Sequence, residues 1–141
     1  GLSAITAAHC SAVTGITDFT NADLRLAVCA VEVPCGAASE KVFAALGLTP
    51  AIDTYAENVT ATLNLAVSGE VDASLVYATD ALSAGDTVTT IVFPEAVEAV
   101  NNNLIAAVTE APNPAAAQAF IDLVLSPEGT AVLEAAGFTI E

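Results

Sequence analysis

Hydrophobic residues along the chain alternate between short continuous runs and segments with helical spacing. Apolar side chains three to four positions apart predict helices at 36–46 and 59–68, and Gly47 and Gly69 follow them, as is common at helix ends. Shorter apolar runs are typical of buried strands. The runs that predict strands are Leu2–Ala8, Arg25–Val31, a short strand followed by a turn within 51–59, 71–82 with a break at Thr79–Asp80, 86–93 and 102–110.

Beyond Pro112 the pattern becomes purely helical. Asn113 before Pro114 and Ser126 before Pro127 are typical helix starts and predict helices at 114–125 and 127–136. Near the other end, Thr17 or Asp18 is expected to cap a short helical turn. Alternation of strand and helix up to Pro112 predicts an α/β fold with a mostly parallel sheet flanked by helices, followed by a C-terminal helical pair.

The charge of the chain is strongly one-sided. The 141 residues include 17 acidic side chains and only two basic ones, Arg25 and Lys41, so the net charge is −15. Such a field repels nucleic acid and anionic membranes, and its simplest role is to keep an alanine-rich surface soluble. An anionic partner would therefore have to be held by neutral dipoles. No apolar run approaches the roughly 18 residues that a transmembrane helix needs.

The first residues lack the order of a signal peptide and lie inside strand-like sequence, which indicates a mature or truncated form. Of the three cysteines, Cys29 and Cys35 flank a short loop after a strand, which allows a disulfide and would fit an oxidising compartment. Buried reduced thiols are the alternative, and Cys10 is then the odd thiol. With His9 as the single histidine and no C-x-x-C, no metal site is expected.

Ligands of α/β sheets gather where strands end and helices begin. Three segments have this position: Pro34–Ala37, Glu57–Thr60 and Val76–Asp80. Helix N-termini offer free N–H groups and a positive dipole end, and Tyr77 adds a hydroxyl donor. The sequence thus suggests an oxyanion site without cations, although most helix N-termini bind only water.

Three stretches carry a family resemblance. "VPCGAASEKVFAALGL", "AENVTATLNLAVSGEVDASLVYATDA" and "PNPAAAQAFIDLVLSPEGTAVLEAAGF" together resemble the periplasmic molybdate-binding proteins of ABC importers, which have the two-lobed type II solute-binding fold. The chain departs from the family at Ala30–Val31, where an acidic residue and a proline are frequent, and at Asn101–Asn103, where an aromatic-proline pair is usual.

The resemblance implies a set of ligand-binding residues. The backbone N–H groups of Cys35 and Val59 and the hydroxyl of Tyr77 occupy the positions that bind the oxyanion, molybdate or tungstate, in the family's second lobe. Cys29 and Cys35 resemble a disulfide pair found in some high-GC Gram-positive members. Cys35 would then contribute its amide, with its sulfur bonded to Cys29; no cofactor and no catalytic residue are implied.

The resemblance also implies a domain organisation. Residues 1–108 correspond to the second, ligand-binding lobe, and residues 109–141 to the end of a return strand and two helices that normally pack on the first lobe, for which no counterpart is found. The apolar stripes of these helices would then be partly exposed and invite a homodimer. The stripes comprise Phe120, Leu123, Val124, Val132 and Leu133. The implied partner is an ABC permease, and the implied location is extracytoplasmic, with a lipid-anchored or secreted full-length form.

Other interpretations of the same residues remain. Cys35 at a helix start could be the nucleophile of a small thiol-dependent enzyme, with His9 as the only histidine for a base. A non-binding structural module is a third hypothesis. Asp80 is expected to cap the turn that follows it, and His9 to lie on the surface. Asp53, Glu57 and Asp72 are interpreted as solvated carboxylates, and Phe19, Phe43 and Phe93 as core.

Overall fold

Five strands form one mixed sheet in the computed structural model, which describes residues 2–7 and 12–140. The strands are β1 (Leu2–Ala7), β2 (Leu26–Cys29), β3 (Thr54–Ala56), β4 (Ala73–Tyr77) and β5 (Val88–Ile91). Their order across the sheet is β3-β2-β4-β1-β5. β2 pairs in parallel with β3 and β4, whereas β1 runs antiparallel to both of its neighbours, β4 and β5.

The described residues also form five α-helices and three short 3-10 turns. The helices are α1 (Pro34–Ala45), α2 (Val59–Val67), α3 (Ala78–Ala84), α4 (Pro114–Val124) and α5 (Pro127–Ala135), and the turns are Ile16–Thr20, Gly85–Thr87 and Pro94–Ala99. The alternation of strands and helices, and the mixed α/β sheet flanked by helices, confirm the predicted fold class.

Side chains on the two faces of the sheet build two separate apolar cores. Alternate residues of each strand point to opposite faces, so that Leu26 and Val28 join one core while Ala27 joins the other. The first core lies under α1, with Phe19, Phe43 and Phe93 buried as predicted. The second core lies under α2 and α3. The sheet is therefore the middle layer of an α/β/α arrangement.

The chain divides into two compact units, residues 1–101 and 102–141. The first contains the sheet, α1, α2 and α3. The second contains α4 and α5, which begin as predicted: the Asn113 side chain accepts from the Ala116 N–H and the Ser126 hydroxyl from the Gly129 N–H. Gly129 is required where the helices meet, because a Cβ there would lie 2.3 Å from the Leu123 carbonyl oxygen.

Several sequence-based predictions were wrong in detail. Residues 102–110 form no strand, because they pair with no strand among the described residues. The Thr79–Asp80 break is instead the first turn of α3, a helix that the apolar pattern does not predict. The cap of the 16–20 turn is Gly15, whose N–H donates to the Asp18 carboxylate. The interpretations of His9 and Cys10 concern positions outside the described residues.

Candidate anion-binding site

Three adjacent parallel strands, β3, β2 and β4, end at the same edge of the sheet, here called the carboxyl edge. Cys29 is in register with Ala56, and Ala27 is in register with Ser74. The Ala30 N–H donates to the Ala56 carbonyl at 2.8 Å and joins the loops that leave β2 and β3. Cys35, Val59 and Tyr77 each lie at the end of one of these strands or on the helix that follows it, so the topology brings all three segments to one edge.

The first turn of α1 leaves one N–H group without an acceptor in the described part of the chain. Pro34 at the first position has no N–H, and the N–H groups of Gly36 and Ala37 both donate to the Val33 carbonyl at 3.0 Å. The amide of Cys35 remains free. Because the helix dipole adds a partial positive charge at this end, the Cys35 N–H is oriented and polarised for an anionic acceptor.

Gly36 explains how α1 begins so close to the strand. A Cβ at this position would lie 1.9 Å from the Ala30 carbonyl oxygen and 2.6 Å from that of Cys29. Only glycine allows this approach of helix backbone to strand backbone. The distance between the helix start and the end of β2 is therefore fixed by the absence of a side chain.

A disulfide joins Cys29 at the end of β2 to Cys35 in the first turn of α1, with the Cα atoms 5.7 Å apart, which confirms the predicted pair. The sulfur of Cys29 lies 3.3 Å from the hydroxyl of Thr62 in α2, and that hydroxyl donates to the Asn58 carbonyl. The Ser39 hydroxyl donates to the Cys35 carbonyl. The disulfide thus connects the starts of α1 and α2, and the Cys35 sulfur is not a free thiol.

α2 begins with an asparagine cap. The Asn58 side chain accepts from the Ala61 N–H at 2.9 Å, and the main-chain carbonyl of Asn58 accepts from the Thr62 N–H. The N–H groups of Val59 and Thr60 have no acceptor among residues 2–7 and 12–140. Val59 therefore offers a second uncharged donor at the carboxyl edge.

Tyr77 ends β4 and is half-buried against the α1-side core. Its hydroxyl oxygen accepts a hydrogen bond from the Asn101 side-chain amide at 3.0 Å. Burial raises the pKa of the Tyr77 phenol, the Asn101 hydrogen bond lowers it, and the charge of Asp80 raises it. The phenol therefore stays protonated, and remains a donor, at neutral pH.

Asp80 lies in the first turn of α3. Burial raises the pKa of the Asp80 carboxyl, and the backbone N–H groups of Tyr77 and Asp80 oppose that rise. One oxygen, Oδ2, is buried without a hydrogen-bond partner in the described residues. The capping role of Asp80 stays a prediction, and its carboxylate adds negative charge beside Tyr77.

The opposite edge of the sheet, the amino edge, contains an ion pair and charged hydrogen bonds. The Arg25 guanidinium binds the Asp72 carboxylate at 2.8 Å and the Glu70 carbonyl, and the Asp53 carboxylate accepts from the Leu26 N–H. Asp53 and Asp72 therefore bind main chain and arginine and are not simply solvated. Hydrogen bonds from Arg25 lower the pKa of Asp72. Lys41 is exposed in the middle of α1.

A small cleft beside the disulfide does not belong to the candidate site. Its volume is about 10 Å³, space for one water, and it is lined by Val28, Cys29, Gly36 and Tyr55 among others, but not by Val59 or Tyr77. In the parts of the chain that the structure describes, no group of three or more His, Cys, Asp or Glu side chains is arranged to hold a metal ion. Nor does any described helix have the length and apolarity for a membrane crossing.

Comparison with known proteins decides the family. The model of the family described as "Bacterial extracellular solute-binding protein" matches residues 4–139. The chain belongs to this family. Membership places it among solute-binding proteins, and the match extends over both compact units.

Relatives of this chain include the molybdate-binding protein ModA of Mycobacterium bovis and that of Mycobacterium tuberculosis. Each is 37% identical over 128 residues, which cover 89% of this chain and 48% of the relative. The chain therefore spans about half the length of the curated relatives it matches.

A solved structure shows the same fold. The substrate-binding domain of a putative molybdenum ABC transporter from Clostridium difficile superposes with a TM-score of 0.75 and is 24% identical. The match covers 99% of this chain and 63% of the other. It shows that the two chains share the same α/β fold.

Two residues of the edge were missed by sequence reasoning. Asn101 was noted only as a departure from the family pattern, and nothing in its local sequence signals a contact with a tyrosine 24 positions away. Thr62 was assigned only to a helix; its position three residues after Val59, on the turn that faces the end of β2, was the available signal.

Proposed function

We propose that this chain provides one face of a binding site for a tetrahedral oxyanion, molybdate or tungstate. The observation that supports this best is the set of uncharged donors at the carboxyl edge: the free N–H groups of Cys35 and Val59 and the hydroxyl of Tyr77. The molybdate-binding relatives at 37% identity support the choice of ligand.

Neutral donors suit a dianion in a chain of this charge. Hydrogen bonds to a charged acceptor are roughly twice as strong as neutral ones, so a few fixed N–H and O–H groups suffice without a cation. A basic residue here would pair with the abundant carboxylates. Protonated phosphate would turn an O–H toward donors, which disfavours it, and size would separate molybdate from the smaller sulfate.

Binding alone is proposed, without chemistry and without a cofactor. Residues 1–108 would act as the ligand-binding lobe of the protein, and residues 109–141 would pack on a further lobe that closes over the anion. The partner is an ABC permease, and the location is extracytoplasmic, where the Cys29–Cys35 disulfide is stable. Where α4 and α5 stay uncovered, their exposed Phe120, Leu123 and Val132 favour a homodimer, which analytical ultracentrifugation would detect.

Calorimetric titration with molybdate, tungstate, sulfate and phosphate tests the proposal, on the 141-residue chain and on the full product of its gene. Molybdate and tungstate should bind, sulfate and phosphate at least about 10-fold more weakly. Tyr77→Phe should weaken molybdate binding about 10-fold or more, since a hydrogen bond to a charged group contributes about 1.5–3 kcal/mol. Tyr55→Phe, which alters the exposed tyrosine, is the matched control.

The ionic strength gives an independent test. The net charge of −15 repels the anion from a distance, so added salt should raise the association rate; a site built on cations would show the reverse. Equal affinity for all four anions, or an unchanged Tyr77→Phe variant, would refute the proposal. The thiol-enzyme alternative requires a reduced Cys35 and would show a thiol-dependent activity that appears only after reductant is added.

A further inference from the structure

The hydrogen bond between Asn101 and Tyr77 leaves the phenol's own proton available. Asn101 Nδ2 donates to Tyr77 Oη at 3.0 Å, and both residues belong to the first compact unit. A phenolic oxygen both accepts and donates. Because the oxygen already accepts from the amide, its own O–H remains available to another acceptor.

The opposite arrangement would disable this donor. If a carbonyl or carboxylate oxygen stood at the place of Nδ2, the phenol would donate its proton there and would have none left for a ligand. An oxyanion accepts hydrogen bonds and cannot use a phenol whose proton is already engaged.

Both partners are held by the same core. Tyr77 packs against the α1-side cluster, and Ala99, two residues before Asn101, is buried within it. The 3-10 turn Pro94–Ala99, anchored by Ala99, therefore positions Asn101 beside Tyr77, although Asn101 itself is exposed. The contact is between two elements anchored independently in one core.

We propose that Asn101 is a positioning residue for the anion: its amide keeps the Tyr77 hydroxyl oriented as a donor toward the ligand. This inference rests on the proposed function. It adds a residue that touches no ligand itself and acts through Tyr77. A neutral amide can orient the hydroxyl without a positive charge. A basic residue in its place would be attracted to the nearby Asp80 carboxylate.

The experiment uses Tyr55→Phe as the parent, which leaves Tyr77 as the only tyrosine. Asn101→Ala removes the donor, and Asn101→Asp replaces it with a group that only accepts. Asn103→Asp adds the same charge two positions along and serves as the matched control. Each variant is titrated with sodium molybdate by calorimetry, and the phenol is titrated by its ultraviolet absorbance without ligand.

Asn101→Asp should weaken molybdate binding about 10-fold or more relative to Asn103→Asp, and Asn101→Ala about 3-fold to 10-fold. Both Asn101 variants should raise the pKa of Tyr77 above that of the parent, because the amide hydrogen bond lowers it. Asn101→Gln, which keeps a donor, should restore part of the affinity. Circular dichroism should show that every variant keeps its fold, because Asn101 is exposed.

Two results would overturn the inference. One is an unchanged molybdate affinity in Asn101→Asp, and the other is a loss of affinity in Asn103→Asp as large as that in Asn101→Asp. Failure of the proposed function can be distinguished from failure of this inference. If the proposed function is wrong, the Tyr55→Phe parent binds no molybdate, either as the 141-residue chain or as the full product of its gene. In that case an unchanged pKa of Tyr77 in the Asn101 variants would refute the orienting contact. A raised pKa would support the contact, although Asn101 would then have no role in anion binding.

Discussion

The two edges of the sheet are held together by different chemistry. At the amino edge, Arg25, Asp72 and Asp53 bind the chain where β2 and β4 begin, through charged hydrogen bonds. At the carboxyl edge, the loops are joined by a disulfide, a sulfur–hydroxyl contact and main-chain hydrogen bonds. The arginine is thus used where no ligand is expected, and the edge with free N–H groups contains no basic side chain in its loops.

This difference shows how an acidic chain can keep donors available. A lysine or arginine at the carboxyl edge would pair with neighbouring carboxylates such as the exposed Glu32 and Glu57 and would cover the amides. Covalent and main-chain connections hold the same loops without occupying the donors. The contrast between the edges can be tested by substituting, one at a time, the residues that hold each edge together.

Gly36→Ala should have the largest effect, because it separates α1 from the end of β2. The new Cβ would meet the Ala30 carbonyl oxygen at 1.9 Å, and no side-chain rotation relieves a clash with backbone. We expect a loss of about 3 kcal/mol in the free energy of unfolding by urea denaturation, and at least about 10-fold weaker molybdate binding as the Cys35 amide shifts.

The control for that variant is Gly15→Ala. Nothing lies within 4 Å of a Cβ at Gly15, and its extended φ of −170° suits any residue. Its cost should stay below about 1 kcal/mol, the cost of a weaker cap. A Gly36→Ala protein as stable as Gly15→Ala would contradict the close approach of helix and strand.

Removal of the disulfide should have the second-largest effect. Cys29→Ser with Cys35→Ser opens a loop of sequence separation 6, and the loss of chain constraint should cost about 2 kcal/mol by urea denaturation. Molybdate affinity should fall only a few-fold, because Gly36 still holds α1 against β2. The donor is an amide, so a complete loss of binding would instead favour a direct role for sulfur.

A thiol count accompanies the double variant. The wild-type protein should show one reactive thiol before reduction, from Cys10, and three after it, whereas the double variant shows one in both conditions. Three thiols in the unreduced wild type would contradict the disulfide.

Asp72→Asn at the amino edge should have the smallest effect, below about 1 kcal/mol at pH 7, since Arg25 is exposed and solvent screens the pair. The pKa of Asp72 is lower in the folded chain than its ordinary value of about 3.9. Its contribution is therefore full above pH 4 and is lost as pH falls through the folded-state pKa. The difference in unfolding free energy between wild type and variant should shrink below pH 4.

Subtracting the variant's unfolding free energy from that of the wild type isolates the contribution of Asp72 from that of Asp18. The pKa of Asp18 is also lowered, chiefly by the Thr14 N–H. Molybdate affinity should not change, because Asp72 lies at the other edge. A stability difference that is constant from pH 7 to pH 2, or an affinity that drops with Asp72→Asn, would remove the distinction between the edges.

Local signals predicted most of the fold. Caps and stops are encoded within a few residues, so Asn113, Ser126 and Gly47 gave helix boundaries to within two residues. α3 was missed because a seven-residue helix directly after a strand shows too little periodicity to identify it. Strand 102–110 was predicted from its apolar content, but a strand needs a partner for its backbone, and no local pattern supplies one.

The candidate site divides in the same way. Cys35 and Val59 could be proposed from the sequence because helix starts are local features, Tyr77 because it ends an apolar run, and the family resemblance singled out all three. Asn101 and Thr62 were not, since their partners are distant in sequence and only the folded chain brings them together. The direction of β1 was equally hidden, because an apolar run has the same composition in either orientation.

β1 has one further consequence, for how the protein is made. It precedes both of its partners in the sequence, yet it lies between β4 and β5 and pairs with residues 73–77 and 88–91. At a synthesis rate of about 5–20 residues per second, its partners leave the ribosome several seconds later. During that interval β1 lacks both of its partner strands, and closure of the sheet waits for β4 and β5.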